Sequence, residues 1–281
     1  MDNYEHIWSE WSYEDIDKQI EEHRSQRYPF LNLIYECIRE RFNLNLNSQE
    51  MRILEVGCGS SIDTHIIAQY IGGLTSRCST SNGQVYGVDI SQEAIKIAHR
   101  VAVYFKNSVI LDQQDVYGLK FSNNFFDLVF SQGMLEHLEY VNKAIEEQLR
   151  VLKPGGILVI NVPQKYTIYT LYKHWQMIRN KWSWGKEDEF SYIQLKKIGM
   201  RYGLKLIKAL GYGYWFHPLE IMWVLRSMGD KVQKINPCRK HKVFLKIKYL
   251  YDELWNKAEK NFGHLFLRNI VVAFRRGSTS K

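Results

Sequence analysis

The stretch Ile53-Leu54-Glu55-Val56-Gly57-Cys58-Gly59-Ser60-Ser61 decides how the chain is read. A short apolar run that ends at glycine has the length and composition of a buried strand. The two serines beyond it suit the start of a helix, where their hydroxyls can accept from the unpaired N–H groups of a first turn. Glycines between strand and helix let the backbone come close to a ligand, because no side chain intervenes.

Downstream the alternation repeats. Apolar runs at residues 52–56, 84–89, 108–112, 126–131 and 156–162 predict strands, and residues 61–71, 92–106 and 140–152 predict helices. The last helix is expected to stop at Lys153-Pro154-Gly155-Gly156, a helix breaker followed by two permissive residues. Short apolar strands separated by helices indicate a parallel sheet with crossover helices.

The spacing around Gly57 narrows the ligand. A dinucleotide fingerprint needs a third glycine where Ile62 stands, and a phosphate-binding loop needs a Gly-Lys pair that is not there. A ligand that lacks phosphates but carries a ribose is left. The second run ends in Val85-Tyr86-Gly87-Val88-Asp89, where a carboxylate can accept from two ribose hydroxyls; the alternative is that Asp89 caps the next helix. A third acid, Asp115 in Asp112-Gln113-Gln114-Asp115-Val116, can accept from an exocyclic amine such as that of adenine, or serve as a plain turn residue.

Next come Phe126-Asp127-Leu128-Val129-Phe130-Ser131 and Gln132-Gly133-Met134-Leu135-Glu136-His137-Leu138. Together with the glycine turn, Asp89 and Leu152-Lys153-Pro154-Gly155-Gly156, these ordered motifs resemble the class I S-adenosylmethionine-dependent methyltransferases. The similarity is greatest to the branch with Leu-Glu-His after the fourth strand, and it covers residues 52–162 closely.

The resemblance implies a Rossmann-like α/β fold: a seven-stranded, mostly parallel sheet flanked by helices. It implies that Glu55, Gly57, Cys58 and Gly59 line the methionine and ribose part of S-adenosylmethionine. Asp89, with Ile90 beside it, would hold the ribose, Asp115 and Val116 the adenine, and Ser131 and Gln132 the methionine side. Ser61 departs from the family's third glycine. His137 is the histidine nearest the expected cleft and the candidate general base, with capping of the following helix as the alternative. Glu136 and His137 resemble half of the Glu-x-x-Glu-His metal site of terminal RNA 2′-O-methyltransferases, but Gly133 stands in place of the first Glu, so no metal is expected.

Composition sets the outer limits. Of 281 residues, 45% are hydrophobic and 24% charged, which fits a globular chain rather than a disordered one. No run approaches the 18 or so apolar residues of a membrane span, and the acidic first residues do not resemble a secretory signal, so a cytoplasmic location is expected. The four cysteines form no Cys-x-x-Cys pair and are read as reduced. Up to Val162 there are 14 Lys+Arg against 22 Asp+Glu, and beyond it 24 against 8, giving −8 and +16. Such segregation suits an anionic partner or a solvated basic face.

Three parts are expected: a helical cover over residues 1–50, with helices at 4–22 and 30–42, the cofactor-binding core over 51–162, and lid insertions with the last strands over 163–281, mostly helical at 218–261. Within the last part, Leu171, Tyr172, Trp175, Ile178 and Trp182 fall on one helical face, with Lys173, Arg179 and Lys181 nearby. Such a stripe at 165–184 suits peripheral contact with a membrane interface, or packing over a substrate pocket. The resembling methyltransferases of ubiquinone biosynthesis meet the membrane through an insertion at a similar place, and sugar-modifying relatives carry comparable helical lids, so methylation at O, N or C of an anionic or lipophilic small molecule, such as a quinone precursor or a sugar derivative, stays open. The basic stretch Arg239-Lys240-His241-Lys242 admits RNA, yet no RNA-binding module is recognisable, so nucleic acid is the lesser reading beside a small-molecule acceptor. A catalytically silent cofactor-binding module is the third.

Overall fold

The computed structural model describes residues 16–44, 51–75, 83–182, 187–213 and 267–278. Seven strands form one sheet: β1 (Arg52–Val56), β2 (Gln84–Asp89), β3 (Ile110–Gln113), β4 (Phe126–Gln132), β5 (Leu152–Pro163), β6 (Lys205–Tyr212) and β7 (Asn269–Arg275). Their spatial order is β3-β2-β1-β4-β5-β7-β6. β2 and β4 both pair parallel to β1, so the strand order reverses there. A crevice opens at such a switch point, beyond the carboxyl ends of the strands. β7 alone runs against its neighbours, β5 and β6.

Among the described residues there are six α-helices: α1 (Ile16–Leu44), α2 (Ile62–Thr75), α3 (Gln92–Phe105), α4 (Val141–Val151), α5 (Ile168–Ile178) and α6 (Tyr192–Arg201). One face of the sheet, carrying Ile53, Phe130, Ile157 and Val159, buries apolar residues of α1, α2 and α3. The other, carrying Leu54, Val129, Leu158 and Ile160, buries those of α4 and α6. Burial of this kind contributes roughly 25 cal/mol for each Å² of apolar surface. α3 shows how sequence specifies a boundary: the Ser91 hydroxyl accepts from Ala94 N–H, and Lys106 closes the helix in the left-handed region.

The structure corrects several sequence expectations. Residues 16–44 form one helix, with Pro29 inside it, instead of two helical pieces. The third strand starts two residues later than expected. Lys153-Pro154-Gly155-Gly156 lies within β5: Phe126 pairs with Leu152, but Leu128 pairs with Ile157, so the extra residues form a bulge. The helix has already ended at Val151. Gly155 takes φ 74° in this bulge, and a Cβ on Gly156 would lie 2.8 Å from Lys153 O, which explains both glycines. The expected helical stretch 218–261, the basic stretch 239–242 and most of the expected first helix lie outside the described residues.

Candidate functional site

The turn after β1 is built from backbone. Gly57, Gly59 and Ser61 take φ values of 74°, 51° and 60°. Gly57 and Cys58 N–H both donate to Val88 C=O, at 2.8 and 3.0 Å, which ties the turn to β2. A Cβ at Gly57 would lie 2.6 Å from Met134 Cγ, so only glycine admits the close approach of the loop after β4. Ser61 occupies the family's third-glycine position in the glycine-like conformation, so the turn keeps its path despite the side chain. The expected capping by Ser61 is absent: its hydroxyl is buried without a partner among the described residues.

Asp89 joins this turn to the end of β2. Its Oδ2 accepts from Gly59 N–H and its Oδ1 from Ser91 N–H, each at 2.9 Å. Ser91, not Asp89, caps α3. An ionised carboxylate accepts up to about four hydrogen bonds, so these two are compatible with ribose hydroxyls. Ile90, half exposed, lies next to it. Asp115 Oδ1 accepts from Tyr117 N–H at 2.9 Å in the turn after β3, and its other oxygen meets no partner among the described residues. Val116 is buried in the core beneath. The Cys58 side chain is buried as well: its Sγ would lie 3.1 Å from a Cβ on Gly87, and burial pushes its thiol well above the ordinary range. The backbone of Cys58 holds the turn, its N–H on Val88 C=O and its C=O accepting from Ser61 N–H at 2.7 Å.

Glu55 is not an exposed carboxylate. It is buried and accepts from the Thr64 hydroxyl on α2. Burial, with the nearby Asp63 charge, raises its carboxyl well above the carboxylate range. Asp63 is buried beside it, yet His23 and Arg27 overcome the cost of burial and hold it well below that range. His23 Nε2 lies 2.8 Å from Asp63 Oδ1, and Arg27 Nη1 donates to Asp63 Oδ2 at 2.5 Å and to Gln132 Oε1 at 2.8 Å. A helix some thirty residues upstream of the glycine turn thus places a guanidinium at the end of β4. No local spacing signals this.

Two more polar groups border the crevice. Ser131 Oγ and Asn161 Oδ1 are buried without partners among the described residues, and Gln132 pairs with Asn161 across β4 and β5. Asn161 Nδ2 donates to Tyr212 OH at 2.5 Å. Buried polar atoms without partners are uncommon in folded proteins and fit positions that a ligand satisfies. The nucleoside and amino acid of S-adenosylmethionine carry groups for each of these: hydroxyls for Asp89, an amine for Asp115, and a carboxylate and ammonium for the Arg27, Gln132 and Asn161 side. When bound, that cofactor supplies a methyl group on a sulfonium already activated toward nucleophiles.

The region around α5 is built from buried charge. After β4 a short 3₁₀ turn, Leu135–His137, carries Glu136 and His137. On α5 part of the expected apolar stripe faces outward: Leu171, Trp175 and Ile178 are 70%, 49% and 82% exposed, whereas Tyr172 is half-buried and Trp182 lies beyond the helix with its indole N–H buried. Lys173, read from the sequence as part of a basic face, is instead fully buried. Its Nζ meets Glu189 at 2.5 Å and Glu187 at 3.3 Å. That pairing fixes the rotation of α5, since turning the stripe inward would carry Lys173 away from both carboxylates. Thr167 caps the helix through Thr170 N–H. No cluster able to hold a metal ion occurs among the described residues. No helix among them is long and apolar enough to cross a membrane.

Known proteins match this architecture. The profile of a methyltransferase domain family matches residues 47–203. A demethylmenaquinone methyltransferase of Staphylococcus epidermidis is 28% identical over 183 residues, covering 60% of this chain and 72% of that one. A ubiquinone biosynthesis O-methyltransferase of Coxiella burnetii is 28% identical over 175 residues, covering 60% and 68%. Among solved structures, the magnesium protoporphyrin IX methyltransferase of Synechocystis aligns with a TM-score of 0.57 at 14% identity, over 98% of this chain and 92% of that one. A putative sarcosine dimethylglycine methyltransferase of Galdieria sulphuraria aligns with a TM-score of 0.56 at 15% identity, over 98% and 97%. The match spans more than half the chain and takes in the glycine turn and the first five strands of the sheet: the chain belongs to the methyltransferase domain family, as a class I enzyme whose cofactor is S-adenosylmethionine.

Proposed function

We propose that the chain methylates a small lipophilic acceptor bearing a hydroxyl, which it meets at a membrane surface. Asp89 holds the cofactor ribose, with Ile90 against the nucleoside. Asp115 and Val116 meet the adenine, the backbone of Gly57, Cys58 and Gly59 lies under the methionine chain, and Arg27 with Gln132 faces its carboxylate. Ser131 and buried Glu55 border the same end.

The observation that carries the acceptor class is the outward stripe of α5. A helix that buries a lysine and exposes Leu171, Trp175 and Ile178 spends its apolar residues on something outside the described fold. Exposed Lys165, Arg179 and Lys181 flank the stripe, and Arg179 lies 4.5 Å over the Trp175 ring, a combination suited to anionic lipid headgroups. The two relatives named for demethylmenaquinone and for ubiquinone biosynthesis support an acceptor of that polarity.

Two experiments test the reading. Mass spectrometry of lipid extracts incubated with the protein and methyl-labelled S-adenosylmethionine should reveal a labelled methyl ether; label only in RNA or in polar metabolites would refute it. Flotation with vesicles containing anionic lipid should carry the protein upward, and Leu171→Ser/Trp175→Ser/Ile178→Ser should abolish this. A parent protein that stays at the bottom of the gradient removes the membrane element.

A further inference from the structure

One buried carboxyl is used neither by the glycine turn nor by the pairing that orients α5. Glu136 is 5% exposed, and its Oε2 has no hydrogen-bond partner among the described residues. Its Oε1 lies 3.7 Å from where a Cβ on Gly133 would stand. Gly133, at φ 62°, directly follows Gln132, so the carboxyl sits over the turn that ends β4. This is the end of the crevice where the methionine side of the cofactor is placed above.

The charged groups around it come from three elements. Lys173 on α5 is already engaged by Glu189 and Glu187. Those two acids belong to the segment before Phe190, which is tied to the 3₁₀ turn by Asp188 N–H donating to Glu136 C=O at 2.8 Å. His137 is the next residue along the turn itself. With Lys173 engaged by two carboxylates, a third has no dedicated counter-charge. Burial pushes the Glu136 carboxyl up to about 8; its own backbone N–H and Lys173 pull it down by less, and Glu187 adds to the rise. Leaving such a group unpaired works against folding, and groups of this kind concentrate at functional sites.

We infer that Glu136 Oε2 accepts the proton of the acceptor hydroxyl during methyl transfer. This rests on the hydroxyl acceptor proposed above, and it moves the role of base from His137 to its neighbour. The O–H bond breaks and the oxygen keeps the pair that forms the new O–CH3 bond. The pair of the breaking C–S bond stays on sulfur as a neutral thioether, and the proton on Glu136 passes to solvent once product has left. A base whose affinity for protons lies near the working pH combines available carboxylate with adequate driving force.

The test has a spectroscopic arm and a kinetic arm. Infrared difference spectra of wild type against Glu136→Gln, both with S-adenosylhomocysteine bound, should show one protonated-carboxyl band lost with a midpoint near pH 8. A band that titrates in the ordinary carboxylate range overturns the inference. In the kinetic arm, methyl transfer to a panel of catechols should rise with pH, reach half its maximum near 8 and level off about one unit higher. Glu136→Gln should lose at least about a hundredfold in kcat and this ionisation, with S-adenosylhomocysteine affinity within about twofold. Glu136→Asp, with a shorter reach, should retain the ionisation at reduced rate. A Gln variant with unchanged rate and pH profile overturns the role of Glu136 alone. A wild-type protein that binds S-adenosylhomocysteine yet methylates no hydroxyl overturns the proposed acceptor class, and this inference with it.

Discussion

At one end of the crevice Gly57, Gly59 and Ser61 turn the chain through positive φ, and the polar contacts are backbone N–H groups directed at Val88 C=O and Asp89. At the other end Lys173, Glu187, Glu189 and Glu136 are side chains gathered from a helix, an extended segment and a 3₁₀ turn. The first end is specified by residues close in sequence; the second exists only after tertiary folding. Backbone-built sites tolerate little change in residue type but need few charges. Charge-built sites depend on every partner being present, because a buried ion left alone is costly.

The sharpest way to break this contrast is at Lys173. Lys173→Met leaves Glu187 and Glu189 without their buried cation and should cost about 3–5 kcal/mol of stability. Urea unfolding at neutral pH measures it. Adding Glu187→Gln and Glu189→Gln to the same variant should recover most of the loss, since a fully neutral cluster leaves no orphaned charge. If the single variant unfolds at the wild-type urea concentration, the end around α5 is not organised by charge.

At the nucleoside end the matching substitution is Asp89→Ala, which removes the carboxylate that holds Gly59 N–H and Ser91 N–H. Calorimetry should show S-adenosylhomocysteine binding weakened by at least about a hundredfold, the loss of roughly two charge-assisted hydrogen bonds. Retained affinity would detach the ribose from this residue.

Asp89 also marks how far the sequence could be read. The strand-to-glycine turn, the acid closing β2 and the alternation of strands and helices follow local rules of period and conformation, so the parallel sheet and the glycine turn with Asp89 beside it were legible. The orientation of α5 was not: five apolar residues at helical spacing do not say which side of the helix meets the rest of the fold. What sets it is Lys173 and its partners at 187 and 189, and their meeting requires the tertiary fold. The bulge at Lys153-Pro154-Gly155-Gly156 escaped for a related reason. Proline and paired glycines halt a helix and equally let a strand carry extra residues, and only pairing with β4 distinguishes the two.

Arg27 lies between the two kinds of construction, a side chain from α1 that reaches the backbone-built end through Asp63 and Gln132. If it meets the carboxylate of the methionine part, Arg27→Ala should weaken S-adenosylhomocysteine about tenfold. Methylthioadenosine, which has the nucleoside and no carboxylate, should be affected less than about twofold. Equal losses for both ligands would instead make Arg27 a clamp that holds α1 on α2.

The smallest effect is expected at Ser61, and it tests whether the nucleoside end is governed by backbone alone. A non-glycine residue at φ 60° carries about 1 kcal/mol or more of conformational cost, and Ser61 also buries an unpartnered hydroxyl. Ser61→Gly removes both, offset in part by the greater freedom of glycine in the unfolded chain. The net gain should be about 1 kcal/mol, seen as a rise in Tm of roughly 2–4 °C for a chain of this size, with S-adenosylhomocysteine affinity changed less than about twofold. Ser61→Ala keeps the Cβ and deletes only the hydroxyl, so its smaller gain separates the two contributions. A Gly variant that is more stable but binds the ligand ten times more weakly would mean that the hydroxyl finds its partner in the bound state. The turn would then depend on a side chain, and the contrast between the two ends would be one of degree.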